Sequence, residues 1–177
     1  MKQETSITKK IVLTALFTAL TMVATMLIRI PLPIGYVNLG DTFVFLSAFL
    51  LGPLWGTVAA GLGSALADVF GYITYAPATL VIKAAMAFLG WLVYSATKKA
   101  LNKPVVGEIL AGCVGTIVLA FGYFLFEAVL YSTVEVALVN VPWNILQGAS
   151  GIILSTAIMR VLAATKLLDR FQTKNNG

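Results

Sequence analysis

Lys83 lies in the stretch ATLVIKAAMAF, with apolar or small residues on either side. An ammonium in such a run needs a counter-charge or a polar ligand. Inside a bilayer, an ionisable side chain costs on the order of 3 kcal/mol or more, and by default it faces the interior of a helix bundle. Glu127 is the expected partner, at similar depth on the following helix. The two either line a polar cavity or form a structural salt bridge between helices. Asn144 and Gln147 are three residues apart and share a helix face. Together they offer donors and acceptors to a flat heteroaromatic molecule, or they hydrogen-bond a neighbouring helix. Tyr75 and Thr79 precede Lys83 by eight and four residues and share a face near it.

The chemistry open to this set is recognition rather than catalysis. Histidine is absent, which excludes His-based nucleophilic triads, and there is one cysteine, Cys113. That combination argues against zinc and other transition-metal sites. Cys113 is expected to pack as a small hydrophobe inside a span. An intramembrane enzyme would need a carboxylate pair in a catalytic arrangement. Asp41 and Asp68 are the candidates, but both fall where helices begin or end, and Asp41 is expected to cap its helix. No cofactor is expected.

The elements that carry these residues are membrane spans. Of the 177 residues, 59% are apolar and 11% charged, against about a quarter charged in soluble domains. Charge-free runs cover residues 11–28, 42–67, 84–97, 109–126 and 136–159, long enough for transmembrane helices. The N-terminal run is read as an uncleaved first span rather than a signal peptide. The run 42–67 holds Gly52-Pro53, where a helix is expected to break. Basic residues decide the count. Six spans, near 11–28, 41–51, 54–71, 77–97, 105–131 and 141–164, put Lys2, Lys9, Lys10, Lys98, Lys99, Lys103, Arg160, Lys166, Arg170 and Lys174 at the cytoplasmic face, with both termini inside. The whole chain, 1–177, is one six-helix, all-α domain with a long outer loop between the first two helices. The positive charge needs no nucleic-acid partner.

This topology sets depth. Asp41, Asp68, Tyr75, Thr79, Lys83, Glu127, Tyr131, Asn144 and Gln147 all fall at the outer ends of their spans, and the inner halves are nearly devoid of such groups. Lys83 lies about 9–10 Å below the start of its helix. Tyr131 belongs to the candidate set, although an aromatic belt is expected at this level too. The loop RIPLPIGYVNLGD suits an extended, folded-back lid, through Pro31, Pro33 and Gly35, with Tyr36 and Asn38 reaching down. Ala15 and Ala19, like Gly56, Ala60 and Ser64, are spaced four apart, which lets helices approach closely.

The pieces N-L-G-D, L-L-G-P-x-x-G, G-S-A-L-A-D and Y-A-P-A-T-L-x-I-K, in that order between Gly35 and Gly90, cover about a third of the chain. This segment resembles the substrate-binding S components of energy-coupling factor (ECF) vitamin transporters, most closely the riboflavin-type group with its hydroxymethylpyrimidine and vitamin B6 carriers. The resemblance implies a plasma-membrane protein that binds a vitamin in an outward cavity made by the first loop and helices four to six. It also implies that Ala15 and Ala19 dock on a transmembrane coupling subunit, energised by two ATPases. The chain has no G-x-x-x-x-G-K-[ST] motif of its own. Pyridoxine or hydroxymethylpyrimidine suits the candidate residues; riboflavin or a cobalamin precursor also finds partners there. A self-sufficient permease is the rival class, but neither internal repeats nor midplane helix breaks are evident.

Overall fold

The two ends of the longest charge-free run meet the same short stretch of a neighbouring helix. A computed structural model describes residues 7–32 and 35–168; Lys2, Pro33, Arg170 and Lys174 lie outside them. The elements are α1 (Ile7–Leu27), β1 (Arg29–Pro31), β2 (Tyr36–Asn38), α2 (Asp41–Val69), α3 (Ala76–Leu101), α4 (Pro104–Leu130) and α5 (Val134–Ala164). In α2, Asp41 at the start contacts Lys83 of α3, and Asp68 at the far end contacts Thr79, one turn away. A straight helix of that length would hold its ends about 40 Å apart. The chain instead reverses at Gly52, whose φ of 84° lies in the left-handed region that glycine adopts without strain. Pro53 follows and withholds a backbone donor. The two halves then lie against each other, and Ser47 Oγ donates to the Gly56 carbonyl at 3.1 Å across the fold.

Other helix ends follow local chemistry. Pro77 and Pro104 sit in the first turns of α3 and α4, where the missing N–H is no loss. Asn102 closes α3 in the left-handed conformation, with Lys98 and Lys99 in its last turn. The segment between α1 and α2 folds back as expected, as a small antiparallel hairpin pairing Arg29 with Asn38 and Pro31 with Tyr36. The expected start of the last span, near 141, needs correction. Helix α5 begins at Val134 and continues through Pro142, so that only residues 131–133 separate it from α4.

The interior and surface are inverted relative to a soluble domain. Val129, Ile153, Val81, Ile117 and Val161 are among many large apolar side chains left exposed, whereas Asp41, Asp68, Lys83, Glu108, Glu127, Asn140 and Gln147 are buried. All five α-helices are long and apolar enough to cross a membrane. An apolar outside around a polar inside is what lipid demands, since the hydrocarbon can satisfy no polar group. On α1, Thr14, Phe17, Thr21 and Thr25 turn inward, and the hydroxyls of Thr14 and Thr21 donate to carbonyls four residues back. Cys113 lies within a helix long and apolar enough to span, as expected, but on the exposed face of α4 rather than packed inside.

Candidate functional site

Four converging helices bring polar side chains together under the hairpin because each begins or ends at this level. Asp41 stands in the first turn of α2, Thr79 and Lys83 in the first two turns of α3, Glu127 in the last turn of α4, and Asn140, Asn144 and Gln147 along the first half of α5. The spacing 140, 144, 147 keeps those three on one face. With Thr79, Lys83 and Glu127 they line a cavity of about 30 Å³, shared with Asn38, Asp68, Tyr75, Tyr123 and the hairpin residues Gly35 and Tyr36. All the candidate binding residues except Tyr131 border this space, and Tyr131 is joined to it by a 3.2 Å contact between its hydroxyl and that of Tyr75.

Two networks divide the cavity. The first centres on Asp41. One carboxylate oxygen pairs with the Lys83 ammonium, and the other accepts from Gln147 Nε2 at 2.9 Å. The Oε1 of Gln147 accepts in turn from the Asn38 backbone N–H at 2.9 Å and from its Nδ2 at 3.3 Å. The hairpin is therefore tied to α5 and, through Gln147 and Asp41, to the buried lysine. Lys83 also stands 5.8 Å from the centre of the Tyr123 ring, within cation–π range. The second network centres on Glu127. Its Oε1 accepts from Asn140 Nδ2 at 2.9 Å and, more loosely, from the Tyr75 hydroxyl at 3.4 Å.

The expected pairing of Lys83 with Glu127 is thus corrected to Lys83 with Asp41. The expectation that Asp41 serves as a helix cap is corrected too: Gly40 holds the N-cap position, no side chain caps there, and the Asp41 carboxylate is spent on Lys83 and Gln147. Both errors have one cause. Depth along a helix is readable from residue number, but which side of the bundle a residue faces depends on how the helices rotate against each other.

A third group fastens the hairpin from outside. The Tyr36 hydroxyl donates to Asp68, whose other oxygen accepts from Thr79 at 2.5 Å. The Arg29 guanidinium lies 4.5 Å from the Tyr36 ring and 5.4 Å from the Tyr72 ring, and it donates to the Ala67 carbonyl at 3.1 Å. Burial, and then the Asp68 charge, push the Tyr36 phenol above its ordinary range, so it holds its proton and donates.

Sequence reasoning missed Asp68, Tyr123 and Asn140 as lining residues, and Asp41 as the partner of Lys83. Asn140 was legible in its spacing to Asn144 and Gln147, but the span expected from 141 began one residue past it. The end of the bundle away from the hairpin is also less bare than expected. Glu108 is buried there and ion-paired with Arg160, linking α4 to α5. Ala15 and Ala19 are exposed on α1, away from the cavity.

The comparisons with known proteins agree with this architecture. A solved structure described as "Structure and mechanism of the S component of a bacterial ECF transporter" superposes with a TM-score of 0.71 over 90% of this chain and 98% of that one, at 22% identity. At that identity the match speaks for the fold. A relative from Pyrococcus woesei, described as "Uncharacterized protein in gap 3'region", is 42% identical over 144 residues, which is 79% of this chain and 92% of the relative. The family model for the ECF-type riboflavin transporter, S component, matches residues 5–164. A membrane bundle with a polar cavity beneath a hairpin, matched by that model over most of its length, belongs to the ECF-type riboflavin transporter S component family.

Proposed function

We propose that this chain is the substrate-binding subunit of a plasma-membrane ECF importer, capturing a small, flat, water-soluble vitamin or precursor from outside, of the pyridoxine or hydroxymethylpyrimidine kind. The observation that carries the reading is the cavity. Seven candidate side chains read from depth, helix face and the folded-back loop, Asn38, Tyr75, Thr79, Lys83, Glu127, Asn144 and Gln147, border one space closed by the hairpin. The reading includes six spans, counting α2 as two, with both termini cytoplasmic. The reversal at Gly52 and the Lys98, Lys99, Lys103, Arg160 and Lys166 positions support it. The ligand then passes inward with a coupling subunit and two ATPases. A second reading, riboflavin, is favoured by the name of the matching family model.

Purified in detergent without ATP, the chain is expected to bind one such compound. Thermal unfolding with riboflavin, pyridoxine and hydroxymethylpyrimidine checks this. A ligand at a hundred times its dissociation constant stabilises the folded state by about 2.7 kcal/mol, a shift that unfolding resolves. No shift with any of the three sinks the reading.

The exposed Ala15–Ala19 face gives a separate prediction. Ala15→Trp or Ala19→Trp is expected to reduce cellular uptake by tenfold or more while leaving the isolated chain's affinity within about twofold. Close packing against a partner helix admits only small side chains. Equal losses of uptake and binding would place this face in the chain's own bundle.

A further inference from the structure

Asp41, Asp68 and Glu127 are buried at this level, and the latter two border the cavity, yet the three carboxylates are not equally satisfied. Each oxygen of Asp41 and of Asp68 has a donor: Lys83 and Gln147 for Asp41, Tyr36 and Thr79 for Asp68. Glu127 differs. Asn140 and Tyr75 both serve its Oε1, and Oε2 is buried with no hydrogen-bond partner. Among the described residues, the ion pairs within 4 Å are Lys83 with Asp41 and Arg160 with Glu108, so no protein cation faces Glu127 at that distance. Buried polar atoms are nearly always hydrogen-bonded, and an orphan in a native site calls for a specific cause. Glu127 itself borders the cavity. A Cβ built on Gly35, at the hairpin tip, would stand 3.9 Å from Glu127 Oε1 and 3.8 Å from the Tyr75 hydroxyl.

Resting on the reading of this cavity as the vitamin site, we propose that Glu127 sets its specificity by accepting N–H donors from an amino-substituted nitrogen heterocycle, an amidine-like edge such as that of a 4-aminopyrimidine. Asn140 and Tyr75 hold Oε1 and so fix the carboxylate plane, leaving Oε2 for the ligand. A ring nitrogen beside an exocyclic amine, once protonated, presents a charged N–H to Oε2, and hydrogen bonds between ionised groups are the strong ones. A nearby carboxylate favours that protonated form. The Tyr75 and Tyr123 rings, with centroids 6.3 Å apart beside the cavity, offer aromatic surface to a flat ring. Hydroxyl donors would gain less, because the strength comes from meeting charge with charge.

The test is calorimetric, on the full chain in detergent. The probes are 4-amino-5-hydroxymethyl-2-methylpyrimidine, its analogue with an oxo group replacing the 4-amino group, and riboflavin. The wild type is expected to prefer the amino compound over the oxo analogue by roughly ten- to a hundredfold, the range of a charged hydrogen bond. Glu127→Gln, which keeps the shape and removes the charge, is expected to reduce that preference to within about threefold. Equal binding of the two pyrimidines by the wild type overturns the inference, as does a preference that survives in Glu127→Gln. Riboflavin binding with neither pyrimidine bound overturns it too, while the vitamin-site reading stands. Binding of none of the three overturns it as well, and the vitamin-site reading falls with it only where pyridoxine, too, leaves thermal unfolding unshifted. The pyrimidine pair tests the unmodified chain, so the inference remains falsifiable even where Glu127→Gln fails to fold.

Discussion

Lys83→Met is expected to cost about 3–5 kcal/mol of folding stability, because it leaves the buried Asp41 carboxylate without its cation. Methionine keeps most of the lysine's volume, so the loss reports charge rather than packing. Asp41 is 1% exposed and Lys83 2%, which leaves little solvent to screen either. Asp41→Asn is expected to be comparably damaging, since it strands the ammonium against Tyr123 and the apolar wall of α3. The double replacement, Lys83→Met with Asp41→Asn, is expected to cost clearly less than the sum of the singles, because it removes both charges at once. Lys83→Met with Glu127→Gln is expected to be nearly additive, since Glu127 is bonded to Asn140 and Tyr75 and not to Lys83. Unfolding midpoints of the purified variants in one detergent settle the matter. Additivity with Asp41 and strong coupling with Glu127 would reverse the assignment.

Gly56→Ala is expected to destabilise the protein by about 3 kcal/mol or more, near or beyond the usual cost of overpacking. Its new methyl would stand 2.5 Å from the Ser47 carbonyl oxygen and 2.8 Å from Ala48 Cα. Both are backbone atoms, so no rotamer change relieves the clash. The two halves of α2 must part, and the Ser47–Gly56 hydrogen bond is lost with them. Gly90→Ala is the matched control. There the nearest atom is the Ala111 carbonyl oxygen at 3.5 Å, an ordinary contact, and replacing a helical glycine gains about 0.5–1 kcal/mol. The same chemical change is therefore expected to have opposite signs at the two positions. Thermal unfolding of both variants checks it, and wild-type stability in Gly56→Ala would mean that the halves of α2 are not tightly apposed.

What the amino-acid order determined alone is the part that depends on one coordinate. Long charge-free runs require lipid, because no soluble surface tolerates that much exposed apolar area. Gly52-Pro53 marks a break, because proline withholds a donor and glycine tolerates the left-handed turn. The depths of Tyr75, Thr79, Lys83, Glu127, Asn144 and Gln147 follow from counting residues at 1.5 Å each, and for that reason they gather at one level. Pro31 and Gly35 likewise marked the folded-back hairpin. Partnership is a different quantity. Whether Lys83 meets Glu127 or Asp41 depends on the rotation of α2, α3 and α4 about their axes. That rotation is set by close contacts such as Gly115 against Phe45 and Gly148 against Thr116, between residues far apart in the chain. Asp41 and Asp68 looked like helix-end residues in one dimension. The reversal at Gly52 carries both to the first turns of α3, where Asp68 becomes a wall of the cavity and Asp41 the partner of Lys83, which lines it.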